Sequence, residues 1–167
     1  MNEIGFIGTG RMGGALIRGV LRAKLFSPNQ LYASDVDEEK TKKLKQELGI
    51  QKADNIEVVK KSDVTILAVK PKTVKQVLKE VKNYVRRDQL FISIAAGVPI
   101  ASLEEELPNA RFIRVMPNIA CTVGSAASAF CLGKNAKEED RKTVKAIFGA
   151  VGIAVEVPEN LMDAVTG

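Results

Sequence analysis

A glycine-rich turn near the start of the chain constrains its fold more than any other feature. The turn reads Gly8-Thr9-Gly10-Arg11-Met12-Gly13. It follows a short apolar run, Ile4 to Gly8, that is typical of a buried strand. From Arg11 to about Lys24, apolar residues recur at helical spacing. A strand, a glycine turn and a helix in this order predict the first β-α unit of a parallel sheet.

Each glycine of this turn has a physical role. Gly8 permits the tight turn, Gly10 lets the backbone approach a pyrophosphate, and Gly13 lets the helix pack closely on the strand. The helix N-terminus then offers free N–H groups and a partial positive charge to the phosphates. The pattern therefore predicts dinucleotide binding, and the alternative is a structural turn that holds no ligand.

Strands and helices alternate along the rest of the chain. Further strands are predicted at Leu31–Ser34, Val64–Val69, Leu90–Ile94, Phe112–Met116, Ala126–Leu132 and Ile153–Val157. Helices are predicted from Asp37 to Leu48, from Pro71 to Val85, from Pro99 to Leu107 and around Val144–Val151. This alternation predicts an α/β fold, a Rossmann-type doubly wound and mostly parallel sheet with helices on both faces.

The composition excludes several classes of chemistry. The chain contains no His, which rules out Ser-His-Asp catalysis and His-ligated metal sites. Its two Cys, Cys121 and Cys131, cannot supply a four-ligand zinc site, so we expect no metal. The net charge of +5 is mild. The basic residues are not interleaved with aromatic residues, so no nucleic-acid partner is expected. We also expect a cytoplasmic protein, because no signal peptide or membrane-length apolar run is present.

Asp35 is the candidate for recognising the adenosine ribose. It lies about 20 residues beyond Gly13, at the end of the strand Leu31–Ser34. Its carboxylate would accept hydrogen bonds from the ribose hydroxyls and repel a 2′-phosphate, which favours NADH over NADPH. Nearby lysines, such as Lys40, would partly offset that repulsion. The alternative is that Asp35 only caps the following helix.

Other candidates follow the carboxyl ends of later strands, where doubly wound sheets bind ligands. Lys70-Pro71 follows one strand, and the small residues Ala95, Ala96 and Gly97 follow the next. The segment Met116-Pro117-Asn118 ends another and could face the nicotinamide. The alternative for these segments is a tight connection without ligand contact, and Arg114 is interpreted as an exposed or ion-paired side chain.

These motifs occur together in a family that the chain resembles. Gly5 to Gly13, Ala68-Val69-Lys70-Pro71, Ser93 to Val98 and Arg114 to Asn118 appear in that order, and the chain ends with Asp163 to Gly167. Together they resemble pyrroline-5-carboxylate reductase, the last enzyme of proline biosynthesis. The resemblance extends over the whole chain.

The resemblance implies an activity and a set of contacts. The activity is NAD(P)H-dependent reduction of 1-pyrroline-5-carboxylate to L-proline, by hydride transfer to the C=N carbon. A protonated imine is already electrophilic, so alignment suffices and we assign no catalytic residue. The resemblance further implies that Glu159 lies near the substrate. The candidate cofactor-binding residues, from motif and resemblance together, are Ile7, Gly8, Thr9, Gly10, Arg11, Met12, Gly13, Asp35, Asn55, Ala68, Val69, Lys70, Pro71, Ala95, Ala96 and Asn118.

The chain departs from the family in three places. Asp35 stands where several relatives carry Ser or Arg. The family commonly reads Asn-Thr-Pro where this chain has Asn118-Ile119-Ala120, and it continues into a helical dimerisation domain that this chain lacks. We therefore expect residues 1–157 to form the cofactor-binding domain and residues 158–167 to begin a connecting helix. The parent enzyme is expected to be a homo-oligomer. The alternatives are another Rossmann reductase, such as a hydroxy-acid dehydrogenase, and a non-catalytic dinucleotide-binding module.

Overall fold

The computed structural model describes residues 2–118, 120 and 125–164. Within these residues the chain forms eight strands, β1 Ile4–Ile7, β2 Leu31–Ser34, β3 Gln51–Lys52, β4 Val64–Leu67, β5 Leu90–Ser93, β6 Arg111–Pro117, β7 Ala126–Leu132 and β8 Gly152–Glu156. The helices are α1 Arg11–Arg22, α2 Glu38–Leu48, α3 Asn55–Lys61, α4 Pro71–Val81, α5 Ile100–Glu106 and α6 Glu138–Gly149. Short 3-10 turns span Pro28–Gln30, Lys82–Tyr84 and Glu159–Leu161.

The eight strands form one sheet in the order β3-β2-β1-β4-β5-β6-β7-β8. Neighbouring strands are parallel, except that β6 and β7 are antiparallel. The chain winds outward from β1 in both directions, with β2 on one side and β4 on the other. The predicted doubly wound, mostly parallel sheet is confirmed, and its switch point lies between β1 and β4.

Apolar layers cover both faces of the sheet. Phe6 and Ile7 are neighbours on β1, yet both are buried, because each contributes to a different hydrophobic cluster. Helices α1, α2 and α6 bury residues in the cluster that contains Phe6. Helices α3, α4 and α5 bury theirs in the cluster that contains Ile7. Coverage of both faces explains why the strands have continuous apolar runs rather than alternating ones.

The predicted helix ends agree closely with the structure. The Asp37 carboxylate accepts a hydrogen bond from the backbone N–H of Glu39 and caps α2. That helix ends at Gly49, whose φ of 73° is left-handed, a conformation that costs glycine little. Helix α4 ends at Val81 rather than at Val85, because the 3-10 turn Lys82–Tyr84 follows it.

One βα unit, β3 with α3, was not predicted. Strand β3 has two residues and α3 has seven, too few for a periodic pattern to emerge. One signal was available: Asp54 caps α3 by accepting a hydrogen bond from the N–H of Glu57, and an acidic residue three positions after a cap residue is typical of helix starts. The helix is fixed by packing, since a Cβ on Gly5 of β1 would lie 2.5 Å from Cγ1 of Val58.

The segment predicted to begin a connecting helix contains the 3-10 turn Glu159–Leu161, and residues 165–167 lie outside the described part. Cys121 and Ile119 also lie outside it. Among the residues that are described, we find no helix with the length and apolar character needed to cross a membrane.

Candidate functional site

A cleft of about 910 Å³ opens at the carboxyl ends of β1, β2 and β4. Two backbone hydrogen bonds hold these ends together: Gly8 N–H donates to the Ser34 carbonyl, and Ala68 N–H donates to the Ile7 carbonyl, both at 2.8 Å. The cleft therefore lies at the switch point of the sheet, the position where doubly wound folds bind ligands. Eight of the predicted residues line it, namely Ile7, Gly8, Gly10, Asp35, Asn55, Ala68, Val69 and Lys70.

The three glycines of the turn differ in what surrounds them. Gly8 has a φ of 99°, and a Cβ there would lie 2.5 Å from the carbonyl oxygen of Ala68. A Cβ on Gly13 would collide with the carbonyl oxygen of Gly8. Around a Cβ built on Gly10, in contrast, no heavy atom of the described residues lies within 4 Å apart from Gly10 and its two chain neighbours, and the φ of Gly10 is −62°. The fold itself thus requires glycine at 8 and 13, but not at 10.

Helix α1 directs its N-terminus into the cleft. Gly10 is its N-cap residue, and the first hydrogen bond of the helix joins Gly14 N–H to the Gly10 carbonyl at 2.8 Å. The N–H groups that begin a helix have no partner within it and carry a partial positive charge. The first turn, Arg11 to Gly14, contains no acidic side chain to cancel that charge. This geometry suits an anionic group such as a phosphate.

Asp35 is bound to the glycine turn. Its Oδ2 accepts hydrogen bonds from Thr9 N–H at 2.6 Å and from Thr9 Oγ1 at 3.1 Å, while its Oδ1 accepts one from Asp37 N–H at 2.9 Å. Burial raises the pKa of Asp35, but these hydrogen bonds and the charge of Lys40 outweigh it, so the pKa lies below its ordinary value. The group is a carboxylate at neutral pH, and the N-cap of α2 is Asp37 instead.

The lysines around this end of the cleft are already paired with carboxylates. Lys52 Nζ lies 2.5 Å from Glu38 Oε2, and Lys40 Nζ lies 3.5 Å from Asp37 Oδ2. Lys42 and Lys43, farther along α2, also lie beside glutamates. The positive charges that would offset Asp35 are therefore partly neutralised by acidic partners.

Asn55 lies at the start of α3, within the unit that the sequence did not reveal. Its Oδ1 accepts a hydrogen bond from Ser34 Oγ at 2.7 Å, and its Nδ2 donates to Glu80 Oε2 at 2.9 Å. Ser34 and Glu80 also line the cleft, and sequence reasoning missed both. Glu80 lies on the exposed face of α4, beside its apolar stripe, and nothing in the sequence marks it as functional.

The remaining predicted cofactor residues lie beside the cleft lining rather than within it. Thr9 is buried under the turn, Arg11 is exposed, and Met12 packs against the core. Pro71 is the first residue of α4. Farther along the same edge of the sheet, Ala95 is buried, whereas Ala96 and Asn118 are exposed at the carboxyl ends of β5 and β6.

Arg114 is buried and pairs with two more exposed acidic residues of the last described segment. Its side chain is 3% exposed, and its Nη2 lies 2.5 Å from Asp163 Oδ1 and its Nη1 3.6 Å from Glu159 Oε1. The ion-paired interpretation is confirmed and the exposed one is wrong, because Arg114 lies on a central strand that is covered on both faces. The Glu159 carboxylate, predicted to lie near a substrate, also accepts a hydrogen bond from Ile100 N–H at 2.7 Å.

The described residues contain neither a reactive cysteine nor a candidate metal site. Burial, together with the negative charge of Glu159, raises the pKa of Cys131 to about 11, so its thiol is neutral and a poor nucleophile. Within residues 2–118, 120 and 125–164, no group of three or more acidic or cysteine side chains is arranged to hold a metal ion.

Comparisons with known proteins agree with this geometry. The family model described as "NADP oxidoreductase coenzyme F420-dependent" matches residues 3–97. A pyrroline-5-carboxylate reductase from Methanosarcina acetivorans is 52% identical over 99% of this chain and 62% of that protein. The chain thus spans less than two thirds of that relative's length.

Solved structures show the same likeness. A pyrroline-5-carboxylate reductase from Coxiella burnetii superposes with a TM-score of 0.94 at 28% identity, over 99% of this chain and 62% of that one. The Plasmodium falciparum pyrroline carboxylate reductase, solved with NADP bound, has a TM-score of 0.86 at 32% identity, over 99% of this chain and 61% of that one.

Fold and cleft together define a Rossmann-type domain whose ligand cleft lies under a glycine turn. The chain belongs to the family described as NADP oxidoreductase coenzyme F420-dependent. The resemblance to pyrroline-5-carboxylate reductases that the motifs predicted is confirmed by the relatives and by the solved structures.

The different surroundings of Gly13 and Gly10 predict different effects on stability. Gly13→Ala should lower the free energy of unfolding by about 1–3 kcal/mol, because its Cβ meets a backbone carbonyl that cannot move independently. Gly10→Ala should change it by less than about 1 kcal/mol, since the new methyl group enters open space and the poorer N-capping of alanine is offset by the lower conformational entropy of the unfolded chain. Urea unfolding of both variants measures this. Equal losses would contradict the assignment.

Proposed function

We propose that this chain is the cofactor-binding part of an NAD(P)H-dependent pyrroline-5-carboxylate reductase. The observation that carries the proposal is the open space at Gly10. The fold leaves room for a side chain there, yet the residue is glycine at the point where the α1 N-terminus faces the cleft. A pyrophosphate that contacts the backbone closely accounts for the missing side chain.

The cleft residues supply binding and orientation. The N–H groups of the first turn of α1 would hold the pyrophosphate, and Asp35 and Asn55 would face the adenosine half. Ala68, Val69 and Lys70, which follow β4, also line the cleft. Ala95, Ala96 and Asn118 lie farther along the same edge of the sheet, toward which the nicotinamide would extend.

The reaction asks little more of these residues than alignment. When bound, the dihydronicotinamide supplies a hydride from C4 to the C=N carbon of 1-pyrroline-5-carboxylate, which yields L-proline. A protonated imine needs no strong base, which fits a chain without His and with a neutral Cys131. We assign no catalytic residue here, and Glu159 is the residue of this chain proposed to lie near the substrate.

The proposal also assigns separate roles to the parts of a longer protein. Residues 1–157 would bind the cofactor, and residues 158–167 would lead into a helical domain that forms a homo-oligomer. A further part of the protein is supported by the length of the relatives, which extend beyond the region that this chain matches. Asp163 and Glu159 tie the connecting segment to Arg114 in the sheet.

The first prediction of this proposal concerns Gly10. Gly10→Ala should weaken NADH binding at least about tenfold, because a methyl group occupies the space that the pyrophosphate needs. Gly149→Ala is the matched control, since its Cβ would also enter open space but at the end of α6. Fluorescence titration of NADH measures both. Unchanged affinity of Gly10→Ala would refute a pyrophosphate at this turn.

A second prediction concerns cofactor preference. The unmutated chain should bind NADH more tightly than NADPH, because the Asp35 carboxylate repels a 2′-phosphate and the nearby lysines are paired with acids. Asp35→Ser should shift the ratio of the two dissociation constants toward NADPH by about tenfold. Glu57→Gln, which removes the same charge from an exposed position on α3, is the control. If both variants shift the ratio equally, a general charge effect explains it.

A third experiment tests the reaction. The chain is substituted for the matching part of the Methanosarcina acetivorans reductase, and the chimaera is assayed with NADH and 1-pyrroline-5-carboxylate or a 2-keto acid. Proline should form in the chimaera, whereas the isolated chain should bind NADH without turnover. Faster turnover of the 2-keto acid would indicate a hydroxy-acid dehydrogenase. Binding without turnover in the chimaera would indicate a non-catalytic module.

A further inference from the structure

Three side chains from three different elements form a hydrogen-bonded chain along one wall of the cleft. Ser34 ends β2, Asn55 begins α3 and Glu80 lies near the end of α4. Ser34 Oγ donates to Asn55 Oδ1 at 2.7 Å, and Asn55 Nδ2 donates to Glu80 Oε2 at 2.9 Å. All three residues line the cleft. We call this set the amide relay.

The charge of Glu80 determines the direction of the amide relay. A carboxylate only accepts hydrogen bonds, so it must face the NH₂ group of Asn55 and not its oxygen. The Asn55 oxygen then faces Ser34, whose hydroxyl can donate or accept. Ser34 alone would permit either orientation of the amide, whereas Glu80 permits one.

This orientation leaves a definite set of groups for a ligand. Asn55 retains one N–H that is not used by Glu80, and the Ser34 oxygen retains lone pairs because its proton is donated to Asn55. A donor beside an acceptor matches a hydroxyl group, which has both functions. The carboxylates of Asp35, Asp54 and Glu80 also line the cleft, and Lys40 and Lys52 there are paired with acids, so an anion is a poor partner here.

We propose that Glu80 is a positioning residue that orients Asn55 to bind the uncharged ribose hydroxyls of the dinucleotide's adenosine half. The inference rests on the proposed function, since it requires a dinucleotide in the cleft. Glu80 acts through Asn55 and takes no part in hydride transfer. It is exposed at its own position on α4, so the core does not depend on it.

Two neutral substitutions isolate the hydrogen bond from the charge. Glu80→Ala removes the acceptor, and Glu80→Gln replaces the carboxylate by an amide that can face Asn55 with its oxygen or with its NH₂ group, so both variants lose the single orientation of Asn55. We expect both to bind NADH about three- to tenfold more weakly than the unmutated chain, the effect of one hydrogen bond, whereas loss of the negative charge alone would strengthen the binding of anionic NADH. Both variants should unfold within a few degrees of the parent, because the site is on the surface.

A double-mutant cycle tests whether Glu80 acts through Asn55. In an Asn55→Ala background, neither Glu80→Ala nor Glu80→Gln should cause a further loss of NADH affinity. Glu139→Ala, on α6 and equally exposed, controls for the loss of a surface carboxylate. Isothermal titration of NADH and of ADP-ribose gives the affinities, and ADP-ribose should show the same pattern because it keeps the adenosine half.

The outcomes separate the two proposals. If the parent chain binds neither NADH nor ADP-ribose, the proposed function fails. If the unmutated chain binds both ligands and the Glu80→Ala and Glu80→Gln variants bind them as tightly as it does, Glu80 does not position Asn55 and only this inference fails. A loss of affinity that persists without Asn55 would also overturn it, because Glu80 would then act directly or through the α3–α4 packing.

Discussion

The contact between the first strand and the first helix is the constraint on which the cleft depends. The carbonyl of Gly8 lies so close to Gly13 that no side chain fits there, and Gly8 itself lies against the Ala68 carbonyl. These approaches fix the start of α1 at the carboxyl end of β1, between β2 and β4. The helix N-terminus is thereby directed at the switch point. Without this backbone packing, neither the cleft nor its partial positive charge would exist.

Charge is arranged differently at the two ends of the cleft. At the glycine turn, unpaired helix amides favour an anion. Toward β2 and α3, Asp35 is a carboxylate with a lowered pKa, and Lys40 and Lys52 are paired with acids. One region suits phosphates and the other suits uncharged hydroxyls, which is the order found along a dinucleotide. The amide relay belongs to the second region, since its direction is set by another carboxylate.

Sequence patterns predicted the long elements well because each has enough apolar residues to show a period. The predicted strands and the helices α1, α2 and α5 were confirmed within about two residues, whereas α4 ends four residues earlier than predicted. The unit β3 with α3 was not predicted, since its two elements have only nine residues together and show no apolar periodicity. Because α3 was not predicted, the sequence also provided no reason to expect Asn55 beside Ser34. The environment of Arg114 was predicted only in part, because a charged residue in a strand gives no sign of which acidic residues will pair with it.

The sequence by itself determined the fold class and the glycine turn, because local spacing dictates both: a strand must end, a turn must close and a helix must begin. It also excluded His chemistry outright. The tertiary structure alone decided which side chains meet. Thr9 reaches Asp35, and Ser34, Asn55 and Glu80 converge from three elements, because pairing of β1 with β2 and packing of α3 against α4 join residues distant in the chain. Such contacts follow from sheet order and helix packing, which no local pattern encodes.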